Sequence, residues 1–141
     1  MRLYLDTEFN GFGGELISMA LVGDGAEWYR ARLLPEKIDP WVADNVVPKI
    51  GIAGVPDVYF RLTLHEFLLN YTNPEIICDW HTDAVHFCQW LAGNDYGSSL
   101  DYACQIKILK TPPGYPPQSA NSHNALWDAR ALMEWHQRVA A

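Results

Sequence analysis

The chain has 141 residues, 49% of them hydrophobic and 19% charged, which suits one globular domain with a sizeable core. A net charge of −7 and a pI near 5.0 exclude a protein that coats duplex nucleic acid by neutralising phosphates, but not an enzyme that grips a short strand end. No apolar run of about 18 residues is present, so no membrane-spanning helix is expected; Met1-Arg2 leads directly into strand-like sequence and the three cysteines lack a disulfide spacing, so a cytoplasmic location is expected.

In chain order, Arg2 to Asp6 reads as a strand in which Leu3 and Leu5 alternate with Tyr4. Two more strands follow, Glu15 to Gly23 and Ala26 to Leu33, and the Gly23-Asp24-Gly25 sequence between them signals a hairpin turn, so the chain opens as an antiparallel meander. A short helix is expected in "PWVADNVVPKI", with Pro40 in its first turn. Thr63, with Glu66 three residues on, reads as a capping box that opens a helix over "TLHEFLLNY" and buries Leu64, Phe67, Leu68 and Tyr71. "PEIICDW" fits a short buried strand, and "TDAVHFCQWLAG" a helix capped by Thr82 and stopped at Gly93. "YGSSLDYACQIKILKT" suits strand or helix, "PPGYPPQ" an irregular loop, and a last helix runs from about Ser122 to about Val139, with Leu126, Ala129, Leu132, Met133 and His136 along one stripe. This order of elements predicts an α/β sandwich with a mixed sheet.

The chemistry starts at Asp6 and Glu8. Two positions apart in a strand, they point to one face, and like charges so close need solvent, a proton or a cation between them. Asp79 and Asp83 stand near the end of the strand at Cys78, and "SHNALWDARAL" carries His123 and Asp128. Five positions along a helix turn by about 500°, or 140° net, so an ideal helix does not aim both at one point. His123 suits the helix entrance instead, where an imidazole can serve as a general base. Taken singly, Asp6 and Glu8 also fit a solvated strand end, and His123 a surface position. Cys78, His81, His86 and Cys88 resemble a zinc set only superficially, since His86 and Cys88 diverge by about 200° on a helix. Arg30, Arg32, Lys49, Arg61, Lys107, Lys110 and Arg130 read mostly as solvated or ion-paired.

With "LDTEFNG", "PWVADNVVP", "DWHTDAVHFCQWL" and "HNALWDARAL" in this order, the chain resembles the DEDDh exonucleases of the ribonuclease H-like superfamily, which include ribonuclease T and oligoribonuclease. It is most similar to the compact 3′-5′ exoribonuclease family first described from mycobacteria. The resemblance covers almost the whole chain and implies a single domain over 1–141, a ribonuclease H-like mixed five-stranded sheet flanked by helices. It implies metal-dependent release of nucleoside 5′-monophosphates from single-stranded RNA ends. Asp6, Glu8, Asp83 and Asp128 match the ligands of two divalent cations, Mg²⁺ or Mn²⁺, and His123 matches the general base. For the second-motif acid, Asp83 followed by Phe87 fits the family's helix start, while Asp79 competes and Thr82 stands where relatives often have an aromatic. Phe9 and Asn10 follow the first acids and suit stacking on or hydrogen-bonding to a terminal nucleotide, with core packing the other role for Phe9. A homodimer is implied as well, for which Trp28, Trp41, Trp90 and Trp135 offer aromatic surface. The other readings are a DNA exonuclease of the same fold and a non-catalytic protein that binds nucleic-acid ends.

Overall fold

The computed structural model describes residues 1–93, 100–110 and 119–140. The meander forms as expected: β1 (Arg2–Phe9), β2 (Leu16–Gly23) and β3 (Ala26–Arg32) pair antiparallel. Gly25 takes φ +71°, the left-handed conformation that a tight two-residue hairpin requires. α1 (Pro40–Asn45) begins with its proline in the first turn, and the Asp39 carboxylate accepts the backbone N–H of Trp41 and Val42. A 3-10 turn at Val47–Lys49 and a two-residue strand, β4 (Gly54–Val55), follow. Then come α2 (Asp57–Leu68), β5 (Glu75–Cys78), α3 (His81–Ala92), β6 (Gln105–Ile108) and α4 (Ala125–Val139).

The sheet is mixed, in the order β4-β3-β2-β1-β5-β6, so among the described residues it has six strands where five were expected. The additional one is β4, parallel to β3 and too short to leave an alternation in the sequence. The ambiguous segment resolves as a strand at 105–108, while the loop expected over 112–118 lies outside the described residues.

Three helix starts differ from expectation, and at α2 and α4 a tertiary partner outweighs the local signal. α2 begins at Asp57, so Thr63 is no cap but a mid-helix residue. Its hydroxyl donates to the Phe60 carbonyl at 3.1 Å and accepts the Trp28 indole N–H at 3.2 Å, giving a buried tryptophan its partner. α3 starts after Trp80 rather than at Thr82, with no side-chain cap, and ends at Gly93 (φ +86°) as expected. α4 is capped by Asn124 instead of starting at Ser122; its Oδ1 accepts the Trp127 N–H and its Nδ2 donates to the Lys49 carbonyl at 2.7 Å. Asn124 is buried, so Asn124→Ala removes a cap and leaves the Lys49 carbonyl short of a donor. The expected cost is about 2 kcal/mol, to be read from the urea midpoint at unchanged slope.

Strand alternation divides the core. Leu3, Leu5, Met19 and Leu21 face Phe60, Leu64 and Leu68 of α2 and Phe87 of α3. On the other face Tyr4 and Ile77 meet Leu132 and Trp135, while Ala20 and Val22 meet Ala125 and Ala129. The two alanines of α4 let it approach β2 closely, which sets the depth of the helix carrying Asp128. Of the four tryptophans expected to supply aromatic surface, Trp28 and Trp135 are core, Trp90 is partly buried against Phe60, and only Trp41 is exposed. Among the described residues no helix is long and apolar enough to cross a membrane.

One irregularity positions the site. β1 and β5 pair in parallel only from Arg2/Glu75 to Tyr4/Ile77, and beyond Tyr4 this edge of β1 has no strand partner among the described residues. The first turn of α3 comes to that open edge.

Candidate metal centre

Asp6 and Glu8 lie on the β1 face that α4 covers, opposite Ala20 and Ser18 of β2. These cross-strand partners are small and leave room beside the carboxylates. α4 brings Asp128 to the same place: one oxygen of each of Asp6, Glu8 and Asp128 lies within 4.8 Å of the others. A second group shares Asp6 and adds Asp79 and Asp83, within the same limit. The four family-matched acids and the competitor Asp79 are thus drawn together around Asp6.

Asp83 is the most deeply buried of the five, 3% exposed, and reaches the open edge of β1 from the first turn of α3. Its Oδ1 accepts both the backbone N–H of Thr7 at 3.2 Å and the Thr7 hydroxyl at 2.5 Å. Asp79, half-buried, sits at the end of β5.

The fifth family-matched residue, His123, stands just outside α4 with φ +69°, a left-handed conformation uncommon for a side chain of this size. Asp128 turns back to accept its backbone N–H at 3.0 Å. This departure from helix geometry lets the His123 backbone meet a carboxylate five residues on. The imidazole packs edge-on against exposed Trp41, ring centroids 5.0 Å apart.

Electrostatically the acids are crowded. Burial, and then Asp83, Glu8 and the other acids, push the Asp6 carboxyl well above its ordinary value. Burial followed by Asp128 and Asp83 raises Glu8 to about 8, and burial raises Asp83 to about 7 against the lowering effect of the Thr7 hydroxyl. Asp128 and Asp79 are raised too, mainly by burial. Asp6 Oδ2 and Asp128 Oδ1 are buried with no hydrogen-bond partner among the described residues. Orphaned carboxylate oxygens in a crowded anionic cluster fit divalent cations, and an all-oxygen donor set suits Mg²⁺ or Mn²⁺ better than Zn²⁺. The zinc set is not assembled: among the described residues, the groups able to hold a metal are the two acidic ones, and His86 instead stacks on Phe9 with centroids 5.1 Å apart.

The two residues singled out for substrate contact differ in availability. Phe9 is half-buried against His86, whereas Asn10 is engaged at both ends of its amide, donating to the Lys37 carbonyl at 2.8 Å and accepting the Asp39 N–H at 2.8 Å. Asn10 therefore ties the end of β1 to the entrance of α1. Phe12, a residue outside the motifs, is 97% exposed between Gly11 and Gly13, both at positive φ. Its signal was a single aromatic set among three glycines just after the acids. Beside Phe9 a cleft of about 550 Å³ is lined by Gly13, Gly14, Arg32, Arg61, His86 and Gln89, among others.

The basic residues are largely committed. Arg32 makes a bidentate pair with Asp57 at 2.9 and 3.1 Å and lies over the Trp90 ring, and Arg61 donates to the Trp90 carbonyl. Arg130, for all its closeness to Asp128 in sequence, pairs with Glu27. Lys49 donates to the Ser122 carbonyl at 3.1 Å, and Arg30 to the Tyr29 carbonyl.

No family model matches the chain, and comparison with curated proteins and with solved structures gives no match either.

Proposed function

We propose that the protein is a metal-dependent 3′-5′ exoribonuclease of ribonuclease H-like architecture, with Asp6, Glu8, Asp83 and Asp128 as its metal ligands and His123 as its general base. The observation that carries this reading is the convergence of acids from β1, α3 and α4 around Asp6, with two buried oxygens left without partners among the described residues. The antiparallel meander flanked by parallel strands, with the first acids on β1 where the meander meets β5, supports the fold assignment.

Two divalent cations would supply the positive charge that meets the scissile phosphate, and would stabilise both the attacking and the leaving oxygen. The protein's own part is to hold, orient and move a proton. His123 takes a proton from the attacking water, whose oxygen bonds to phosphorus as the bond from phosphorus to the 3′ oxygen of the upstream nucleotide breaks; that oxygen takes a proton from solvent to become the new 3′ hydroxyl, and the terminal nucleotide leaves as a 5′-monophosphate. Phe12, Phe9 and Trp41 offer aromatic surface near the acids, and stacking of this kind reads any base. The cleft beside Phe9 gives the strand upstream of its end a place to lie. With so many cationic side chains already paired, the affinity we expect rests on the cations, the end and stacking rather than on a basic groove. We extend the proposal to a homodimer acting on single-stranded RNA in the cytoplasm.

The test is nucleotide release from 3′-labelled single-stranded RNA and matched DNA with Mg²⁺, Mn²⁺ or EDTA, with Asp6→Ala as the control. RNA is expected to lose its label as monophosphate in a metal-dependent way. His123→Ala is expected to lower kcat by about 10²- to 10⁴-fold while leaving Mn²⁺ affinity unchanged. Cleavage of DNA alone would move the reading to a DNA exonuclease, and intact label on both polymers would favour a protein that only binds ends.

A further inference from the structure

We infer that Thr7 is a positioning residue that leaves Asp83 one oxygen for a cation, and that it thereby sets a preference for Mg²⁺ or Mn²⁺ over Ca²⁺. The inference rests on reading the acids as a cation site, and it concerns a residue that the family motifs leave as a spacer between Asp6 and Glu8.

Alternation along β1 points Thr7 to the face opposite Asp6 and Glu8, toward α3, where it is 5% exposed. Because β1 parts from β5 after Tyr4, the Thr7 N–H has no strand partner on that edge. A buried donor so placed needs an acceptor, and Asp83 provides it. The hydroxyl donates to the same atom, so both bonds end on Oδ1. A carboxylate held at one oxygen by two donors cannot turn that oxygen to a metal without losing both. It is left to coordinate through Oδ2 alone, on a carboxyl group whose ligand atom lies within 4.8 Å of those of Asp6 and Asp79.

One-oxygen coordination has a consequence for ion choice. Ca²⁺ takes six to eight oxygens and readily uses both oxygens of a carboxylate, whereas Mg²⁺ demands a small octahedron. Mn²⁺ shares the octahedral all-oxygen preference. Holding Oδ1 away keeps the ligand count low and the geometry fixed, as hydrogen bonds to a metal's ligands commonly do. A threonine that merely filled space would affect all cations alike.

Thr7→Val keeps the branched shape and the backbone N–H but removes the hydroxyl. The measurement is Mn²⁺ binding to the full chain by electron paramagnetic resonance of the free ion, with Ca²⁺ as competitor. Thr7→Val is expected to weaken Mn²⁺ binding about tenfold and Ca²⁺ binding less than about threefold, with Thr7→Ser within about twofold of the wild type on both. Should the valine variant fold poorly, Thr7→Ala removes the same hydroxyl without adding bulk and is expected to give the same contrast. Unchanged binding of both ions, or equal weakening of both, overturns the inference and leaves the cation site standing. A wild-type protein that binds neither ion removes the site itself, and the inference with it.

Discussion

Asp6→Asn is expected to abolish nucleotide release, by about a thousandfold or more, and at the same time to stabilise the cation-free protein. A thousandfold corresponds to about 4 kcal/mol of transition-state stabilisation, a plausible loss for the one acid shared by both metal-holding groups. The gain in stability has the same origin. Asp6 is raised by burial and by every acid around it, so replacing it with a neutral isostere relieves its neighbours as well as itself. The pH dependence follows from the sign of the shifts. Glu8, at about 8 against an ordinary 4.5, and Asp83, at about 7 against 3.8, hold protons more tightly in the folded protein than in the unfolded chain. Their contribution to stability is complete below the unfolded values near 4 and is lost as pH rises through 7 and 8. In EDTA the wild type should melt lower at pH 9 than at pH 5.5, by about 5 °C or more, and Asp6→Asn should flatten that difference. Mg²⁺ should raise the wild-type midpoint most at high pH, where the ligands are ionised. A wild-type midpoint that ignores pH in EDTA, with Asp6→Asn no more stable, would mean that the acids do not crowd one another.

The second large effect separates Asp83 from Asp79. Asp83→Asn should cost about a thousandfold in kcat, while Asp79→Asn should cost about tenfold. Both acids adjoin Asp6, but Asp83 is buried and oriented by Thr7, whereas Asp79 is half-buried at a strand end. Asparagine keeps an acceptor for Thr7 and the same shape, so the loss would reflect charge rather than folding. Circular dichroism and the Mn²⁺ titration check that separation. The reverse ranking would make Asp79 the ligand, and equal losses would make the centre one of five acids.

The parts of this molecule that were legible in its sequence are those governed by local rules. Alternation and a Gly-Asp-Gly turn gave the meander, Pro40 a helix start, Gly93 a helix stop, and the i, i+2 spacing the shared face of Asp6 and Glu8. What stayed hidden depends on partners distant in sequence. Thr63 has the same pattern as an N-cap, yet its hydroxyl serves Trp28 on β3. Helical arithmetic placed His123 and Asp128 on different sides, and nothing local announces that the backbone turns left-handed at His123 while Asp128 folds back onto it. Thr7 looked like a spacer because its importance comes from the parting of β1 and β5, a property of the sheet rather than of either strand.

The acids are contributed by β1, by the α3 region and by α4, so they span almost the whole sequence from Asp6 to Asp128. During translation, Asp6 and Glu8 leave the ribosome early, with the space between them and α4 still unfilled. Asp128 comes within reach only once nearly everything before it has been made and β2 is in place to receive Ala125 and Ala129. Under the proposed function, the growing chain therefore has no complete set of ligands until α4 has been made and docked.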